Sequence, residues 1–294
     1  MQRLPDSFPN FAALKDLAPR IFPRADAGCD SAQMTRADIA FLLGVLDMAK
    51  PKKILEIGVA AGGSASVILD AMSKKGAPFT MHSVDLSERH YQDLSKRTGY
   101  LVNELCPELM EHWTLLTGKP IPAVIDQIGD GVDFLLLDTA HILPGELLDF
   151  LVVLPHLAEG CHVVLHDINL FNGTLAADFA TKVLFDSVVA EKFWCPENAN
   201  GEYWLPNIGA FKITPDTRKY IDNCFSALSF PWEYVPEPQH IDWYRTALSK
   251  HYSEEFLRIF DMAYEQNRKT HRRRLRAAET TWQRLMRHLT GKKL

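Results

Sequence analysis

From about residue 35 onward, apolar and polar positions follow two alternating patterns. Short apolar runs that are typical of buried strands occupy residues 53–58, 80–85, 112–117, 132–138, 161–166 and 207–213. Between them, apolar residues recur at helical spacing, as in residues 35–49, 65–72, 91–104 and 143–154. Strands that alternate with helices predict an α/β fold, in which helices cover both faces of a doubly wound, mostly parallel sheet.

The two ends of the chain depart from this alternation. Residues 1–34 contain several prolines and predict an irregular or short-helical arm. Residues 35–215 are expected to form the main domain, with an insert or lid over about 170–205 that includes a strand near 192–195. Residues 216–294 predict a helical C-terminal extension. A chain of this length accommodates one sizeable domain with such appendages.

The last part of this extension is amphipathic. Its apolar residues at helical spacing are Leu275, Ala278, Trp282, Leu285, Met286 and Leu289. Arginines stand among them at positions 272, 273, 276, 284 and 287. We expect the apolar stripe to pack against the same domain or against a second copy of the chain in a homo-oligomer. Binding to a membrane surface or to an acidic partner is the alternative.

One segment combines a strand, a glycine-rich turn and a helix. Residues 54–64 read I-L-E-I-G-V-A-A-G-G-S, an order typical of a cofactor site at the carboxyl edge of an α/β sheet. The dinucleotide fingerprint G-x-G-x-x-G requires glycine where this chain has Ala60, and the pattern here is E-x-G-x-x-x-G-G. Ser64 is predicted to cap the following helix. The residues expected around the cofactor are Glu56, Gly58, Ala60, Gly62, Gly63 and Ser64.

A second acidic residue, Asp85, ends the next predicted strand. Doubly wound folds place an acid roughly 20 residues after the glycine turn, where it binds the ribose hydroxyls of the cofactor. A carboxylate suits this role because it accepts charge-assisted hydrogen bonds from both hydroxyls. The alternative is that Asp85 only caps a helix that starts near Glu88. Gly118 follows the third predicted strand and is also expected near the cofactor.

Four titratable side chains follow two further strands. Asp138 and His141 come after the strand at 132–138, and His166 and Asp167 come after the strand at 161–166. Because ligands of open α/β sheets bind at the carboxyl ends of the strands, we expect these side chains to converge near the cofactor. Such a group can bind a divalent cation, and His141 can also move a proton. Alternatively, the acids cap helices and the histidines are polar residues of the core.

These motifs resemble those of a known family. The pattern E-x-G-x-x-x-G-G resembles motif I of the class I S-adenosylmethionine (SAM) methyltransferases, and the run D-x-x-H…E-L-L-D-F…L-P-x-L-x-x-G…H-D resembles the second half of the Methyltransferase-24 type. That type includes sugar and macrolide O-methyltransferases and is more distantly similar to catechol O-methyltransferase. The resemblance covers about residues 35–215 and implies a seven-stranded, Rossmann-like sheet that binds SAM, with Glu56 near the methionine end.

The resemblance also implies roles for the second group of residues. Asp138, His166 and Asp167 occupy metal-ligand positions, and His141 occupies that of a general base beside Asp138. Two positions differ from metal-dependent members, since His166 stands where an acid is common and Ile168 stands where the catechol type has asparagine. Histidine and aspartate together suit a borderline transition metal better than Mg²⁺. A divalent cation and a metal-free base therefore both stay open.

The function predicted from these features is SAM-dependent methylation of a hydroxyl on a small molecule, such as a sugar or glycoside. One alternative is a nucleotide-sugar or NAD-binding oxidoreductase, against which Ala60 and the lack of a Tyr-x-x-x-Lys motif argue. Another is a non-catalytic SAM-fold protein that binds a partner through its basic tail.

Charge and composition indicate the partners and the cellular location to expect. The net charge of −5 offers no electrostatic case for nucleic acid. Five scattered cysteines predict reduced thiols in a cytoplasmic protein. No apolar stretch is long enough to span a membrane.

Overall fold

The computed structural model describes residues 2–3, 34–172, 178–195 and 206–278, with side chains throughout except at 2, 3 and 275–278. The strands are β1 (Gln2–Arg3), β2 (Lys53–Ile57), β3 (Thr80–Asp85), β4 (Arg89–His90), β5 (Asp93–Arg97), β6 (Trp113–Thr117), β7 (Val132–Leu137), β8 (Leu157–Leu165), β9 (Glu191–Trp194) and β10 (Gly209–Lys212). The helices are α1 (Arg36–Ala49), α2 (Gly63–Lys75), α3 (Tyr100–Leu105), α4 (Ile125–Ile128), α5 (Gly145–Val153), α6 (Ala180–Ser187), α7 (Pro215–Lys219), α8 (Asp222–Ala227), α9 (Pro238–Ser249) and α10 (Glu254–Ala278).

The main sheet is mostly parallel, as the strand and helix pattern predicts. Its order is β6-β3-β2-β7-β8-β10-β9, with the two-residue strand β1 added beside β9. Among these strands, β10 runs antiparallel to its neighbours β8 and β9. The chain passes from β2 outward to β3 and β6, and then crosses to β7 on the other side of β2. The order therefore reverses at β2, and ligands of such sheets bind at a reversal of this kind.

Both faces of the sheet are covered by helices. Along β7, Phe134 and Leu136 belong to the apolar core on one face, whereas Leu135 and Leu137 belong to the core on the other. Successive side chains of a strand point to opposite faces, so a strand covered on both sides is apolar throughout. Helices α1 and α2 cover the first face, and α5, α6, α8, α9 and α10 cover the second. The doubly wound α/β prediction is confirmed.

The helix predicted over residues 91–104 is wrong for most of its length. The chain forms a hairpin of β4 and β5 there, and helix begins only at Tyr100. The Asp93 carboxylate accepts hydrogen bonds from the Ser95 amide at 3.0 Å and from the Ser95 hydroxyl at 2.6 Å. Such local side-chain bonds compete with helical backbone bonding. Gly99, with φ of 74°, then turns the chain into α3.

The C-terminal extension packs onto the second face of the sheet. Trp232 and Phe260 are buried in its core, and the Trp232 amide donates to Asn267 Oδ1 at 2.8 Å. This arrangement agrees with a structural role for residues 216–274. Leu275 and Ala278 lie in α10, but the structure does not describe their side chains. The other residues of the predicted apolar stripe lie outside the described residues. The homo-oligomer and the exact domain boundaries stay predictions.

Several other expectations concern parts of the chain that are only partly described. The predicted strand near 192–195 is present as β9, whereas residues 173–177 and 196–205 of the predicted lid and most of the N-terminal arm lie outside the described residues. Within the described ranges, Cys106, Cys161, Cys195 and Cys224 are buried. Among the described helices, none has the length and apolar character needed to cross a bilayer.

Candidate functional site

A cavity of about 490 Å³ opens at the carboxyl ends of β2, β3 and β7. It lies at the reversal in strand order, where the two directions of winding leave a crevice. Its lining includes the turn after β2, the strand-end Asp85, and Asp138 and His141 after β7. Members of both groups that the sequence singles out therefore line one cavity, whereas His166 and Asp167 lie outside its lining. Its volume lies within the range of about 300–1,000 Å³ that is usual for small-molecule and cofactor sites.

The glycines of the turn after β2 are required by neighbouring backbone. Gly58 has φ of 90°, and a Cβ atom there would lie 1.7 Å from the Asp138 carbonyl oxygen. Gly62 has φ of 91°, and a Cβ atom there would lie 2.9 Å from the Cα atom of Gly99. Both positions thus need glycine for close packing as well as for the turn. Ala60, Ala61, Gly63 and Ser64 line the cavity, and Ala60 has a left-handed φ of 48°.

Ser64 does not cap α2, contrary to the expectation from the sequence. The N-cap residue is Gly62, and the Ser64 hydroxyl instead donates to Glu56 Oε1 at 2.5 Å. Glu56 also accepts a hydrogen bond from the Ser83 hydroxyl at 2.6 Å, and it is fully buried outside the cavity lining. Burial raises the pKa of Glu56 to about 7, although the two serine hydroxyls oppose this shift. From this position Glu56 stabilises the glycine turn through its hydrogen bond with Ser64.

Asp85 holds the glycine turn by direct hydrogen bonds. Its Oδ2 accepts from the amides of Val59 at 2.9 Å and Ala60 at 3.1 Å, and its Oδ1 accepts from the Ser87 amide at 2.7 Å. Asp85 also lines the cavity, so its carboxylate is available to a ligand. Each carboxylate oxygen can accept more than one hydrogen bond. Its other expected role, the cap of a helix near Glu88, is not found because β4 follows.

Gly118 lies at the end of β6 beside this acid. Its φ is 79°, its amide donates to the Asp85 carbonyl at 3.1 Å, and a Cβ atom there would lie 3.0 Å from Glu88 Oε1. Its neighbours Lys119, Pro120 and Ile121 line the cavity, whereas Gly118 itself does not. Gly118 therefore turns the backbone so that the residues after it line the cavity, and it is not itself part of the lining.

Asp138, His141, His166 and Asp167 converge as expected. His141 Nε2 lies 3.2 Å from Asp167 Oδ2 and 3.7 Å from Asp138 Oδ1. Both His141 and Asp167 have left-handed backbone, with φ of 59° and 58°. Such conformations in residues other than glycine are sparsely populated and cluster at functional sites. His141 remains partly exposed, with 22% of its side chain accessible.

His166 lies deeper than the sequence suggests. Its ring is 2% exposed and sits 3.6 Å from Asp38, 3.4 Å from Asp138 and 3.3 Å from Asp167, measured between nitrogen and carboxylate oxygen. Burial opposes a charge on this ring, but the nearby carboxylates of Asp167 and Asp138 outweigh it and raise the pKa of His166 well above its usual range. The same pairing lowers the pKa of Asp167 to about 2 against the effect of burial.

Side chains of this group lie close enough together to bind a cation. Ligand atoms of Asp138, His141 and Asp167 lie within 4.8 Å of one another, which is compatible with one divalent cation. The expected set, with His166 in place of His141, is comparably close, since His166 Nδ1 lies 3.4 Å from Asp138 Oδ1 and 3.3 Å from Asp167 Oδ2. The two histidines differ in burial, because His141 lines the cavity whereas His166 is buried outside its lining.

Three residues that support this group are not among the site residues predicted from the sequence. Glu146 Oε1 accepts from the His141 amide at 2.6 Å, and Asn207 Nδ2 donates to Asp167 Oδ1 at 2.5 Å. Asp38 comes from α1, far away along the chain. Burial raises the pKa of the Glu146 carboxyl. Glu146 stands within the E-L-L-D-F motif, which was its only signal, whereas Asp38 and Asn207 carry none that pattern reasoning detects.

Comparison with known proteins identifies the central segment. Residues 55–168 match the family model described as a methyltransferase domain. The rhamnosyl O-methyltransferase of Mycobacterium leprae (strain TN) is 27% identical over 127 residues, which are 41% of this chain and 50% of that protein. The chain thus spans about half the length of this curated relative. The family match is narrower than the resemblance expected over residues 35–215.

Solved structures that match this chain share little sequence identity with it. The O-methyltransferase TomG from Streptomyces achromogenes, in complex with SAM, matches with a TM-score of 0.47 at 15% identity, over 70% of this chain and 90% of that one. An O-methyltransferase from Bacillus cereus, in complex with S-adenosylhomocysteine (SAH), matches with a TM-score of 0.47 at 13% identity, over 68% of this chain and 91% of that one.

Proposed function

We propose that this chain transfers a methyl group from SAM to a hydroxyl oxygen of a small molecule. The proposal starts from the match of residues 55–168 to the family model described as a methyltransferase domain. The observation that carries the proposal is the position of His141. Its ring lines the cavity beside Asp138, and its Nε2 lies 3.2 Å from Asp167. A histidine between two carboxylates, at the wall of a cofactor-sized cavity, is suited to remove a proton from a hydroxyl group.

The cavity suits the cofactor as well as the acceptor. The turn at 58–64 provides a close-packed backbone wall, and Asp85 presents a carboxylate that can accept hydrogen bonds from a ribose diol. SAM, when bound, supplies an electrophilic methyl group, so the protein need only align the acceptor and exclude water. Glu56 acts through Ser64, because its carboxyl lies outside the cavity lining.

The chain's own residues divide the work at the acceptor. His141 takes the hydroxyl proton, and the Asp138 and Asp167 carboxylates stabilise the imidazolium that results. Glu146 fixes the turn that holds His141 through the hydrogen bond to the His141 amide. His166 lies behind the two aspartates and balances their negative charge. Only His141 of the two histidines lines the cavity, which favours it as the base.

A cation is the second candidate for activating the hydroxyl. Asp138, His141 and Asp167 would hold it, and it would lower the pKa of a hydroxyl that approaches it. A ring nitrogen that ligates a metal cannot accept a proton at the same time. The base and the cation are therefore alternative uses of His141.

A sugar hydroxyl is the acceptor that we favour, because the Mycobacterium leprae relative is a rhamnosyl O-methyltransferase. The test is to incubate the purified protein with SAM labelled in its methyl group and a panel of glycosides and phenols. Label should appear on an acceptor oxygen, with SAH as the second product. Tight binding of NAD without binding of SAM or SAH would contradict the proposal and favour an oxidoreductase.

A further inference from the structure

The cavity lining includes a polar cluster that the reaction at His141 does not use. We call Thr139, Asp149, Tyr234 and Tyr244 the distal cluster, and all four line the cavity. The Tyr244 hydroxyl donates to Asp149 Oδ1 at 2.5 Å, and Thr139 Oγ1 lies 3.4 Å from Asp149 Oδ2. Asp149 and Tyr244 are each 7% exposed, so the cluster is sheltered from bulk water.

Part of the hydrogen-bonding capacity of the distal cluster is unused within the described chain. The Tyr234 hydroxyl forms no hydrogen bond to any described residue, although it faces the cavity. Asp149 Oδ2 has only the long contact with Thr139. Polar groups that face a cavity and whose hydrogen-bonding capacity the protein does not use are available to a ligand.

The Asp149 carboxyl can act as both donor and acceptor. Burial raises the pKa of Asp149 to about 7, against the hydrogen bond from Tyr244 and with a contribution from Glu146. A protonated carboxyl donates one hydrogen bond and still accepts others. Together with the Tyr234 hydroxyl, it offers the adjacent donor and acceptor that the N1 and N6-amino edge of adenine requires.

The location of the distal cluster also agrees with a nucleobase. Under the proposed function the ribose lies at Asp85, and the methyl group lies near His141. The base must then extend from the ribose toward β6 and the residues that follow it. Helix α9, which carries Tyr244, packs against Ile121–Ala123 directly after β6, and Ile121 lines the same cavity.

We propose that Asp149 and Tyr234 bind the N1/N6 edge of the cofactor's adenine and that Tyr244 holds Asp149 in position. This inference rests on the proposed function, since it places SAM in this cavity. Tyr234 and Tyr244 come from the C-terminal extension, beyond the segment 55–168 that matches the family model. The extension is thus part of the cofactor site in addition to covering the sheet.

The experiment measures binding by calorimetry, without turnover. Wild-type protein is titrated with SAH and with S-inosylhomocysteine, which presents N1–H and a carbonyl in place of N1 and the amino group. The variants are Tyr234→Phe, Asp149→Asn and Asp149→Ala. Tyr252→Phe is the matched control, because its hydroxyl donates to the Leu151 carbonyl at 2.7 Å in the same extension and lies outside the cavity lining.

Tyr234→Phe and Asp149→Ala should each weaken SAH binding about tenfold, the effect of one lost hydrogen bond at roughly 1.4 kcal/mol. Their effect on S-inosylhomocysteine should be smaller, and Asp149→Asn, which keeps a donor and an acceptor, should bind SAH within about threefold of wild type. Tyr252→Phe should leave both affinities unchanged. Thermal unfolding checks that each variant folds, and Tyr234→Phe loses no internal hydrogen bond.

Two outcomes overturn the inference in distinguishable ways. If wild type binds SAH and the folded Tyr234→Phe variant binds it equally well, the distal cluster is not the adenine subsite, although the proposed function stands. If wild type binds neither SAM nor SAH, the proposed function fails and this inference fails with it.

Discussion

His141 and Asp167 face each other across the ends of two adjacent strands, with Nε2 and Oδ2 3.2 Å apart. Both residues have left-handed backbone, which side chains other than glycine rarely adopt. The Glu146 carboxylate holds the turn at His141, and Asn207 holds the Asp167 side chain. The surrounding structure thus maintains two unfavourable conformations in order to bring one imidazole and one carboxylate together.

Replacing His141 should separate catalysis from cofactor binding. General-base catalysis is typically worth about 10²–10⁴-fold, so His141→Ala should lower kcat by that factor and leave SAH affinity unchanged. Steady-state kinetics on an acceptor that the wild type methylates, together with calorimetry, measures both effects. His166→Ala is the comparison, and its main effect should be a loss of about 3 kcal/mol in the free energy of unfolding, because it leaves buried carboxylates unpaired. Near-wild-type kcat in His141→Ala would show that another group is the base.

Removal of divalent cations should leave activity intact if His141 is the base. Exhaustive dialysis against a chelator is expected to change neither kcat nor SAH affinity, and elemental analysis should find no stoichiometric metal. Loss of turnover that Mg²⁺ or a transition metal restores would instead establish the cation arrangement at Asp138, His141 and Asp167. SAH binding, which does not require these ligands, serves as the internal control for folded protein.

Asp85→Ala should weaken SAM binding by about 1–3 kcal/mol, since ribose hydroxyls would lose a charged acceptor. The structure adds a second cause, because the Val59 and Ala60 amides would lose the carboxylate that positions the glycine turn. Asp216→Ala, which alters an exposed carboxylate of α7 outside the cavity lining, is the matched control and should bind SAM like the wild type. Equal affinities of the Asp85 variant and the wild type would exclude Asp85 from the cofactor site.

Glu56 should make the protein less stable as the pH rises from about 4.5 to 7. Burial raises the pKa of Glu56 from 4.5 to about 7, so in this window the folded state holds a proton that the unfolded state has released. The unfolded state binds fewer protons, and stability therefore falls with rising pH. In the wild type, this group should lower the free energy of unfolding by on the order of 2 kcal/mol across that window. The Glu56→Gln variant should not show this loss.

Urea denaturation at several pH values measures the effect of Glu56. Glu108→Gln, which alters an exposed carboxylate, should retain the wild-type slope of stability against pH. If Glu56→Gln has the wild-type slope too, the buried carboxyl does not stay protonated in the folded state. The slope is the informative quantity, because the substitution also changes the hydrogen bonds with Ser64 and Ser83.

The hairpin at residues 89–97 shows where local pattern reasoning fails. Apolar residues between 91 and 104 recur at helical spacing, but the Asp93 side chain binds the Ser95 backbone and Gly99 interrupts the helix. A periodicity argument counts apolar positions and does not weigh such side-chain-to-backbone bonds. The difference in burial between His141 and His166 has another origin, since both histidines follow strand ends and the local pattern does not show which one is covered by helix α1.

The sequence by itself determined the sheet, the glycine turn after β2 and the two pairs of residues after β7 and β8. These features depend on the alternation of apolar residues and on which residues follow a strand, and both can be read locally. Only the tertiary structure decided which histidine faces the cavity, that Glu56 lies beneath it, and that Asp38, Tyr234 and Tyr244 join the site. Those relationships join residues that are far apart in the chain, and they depend on how helices from both ends pack against the sheet.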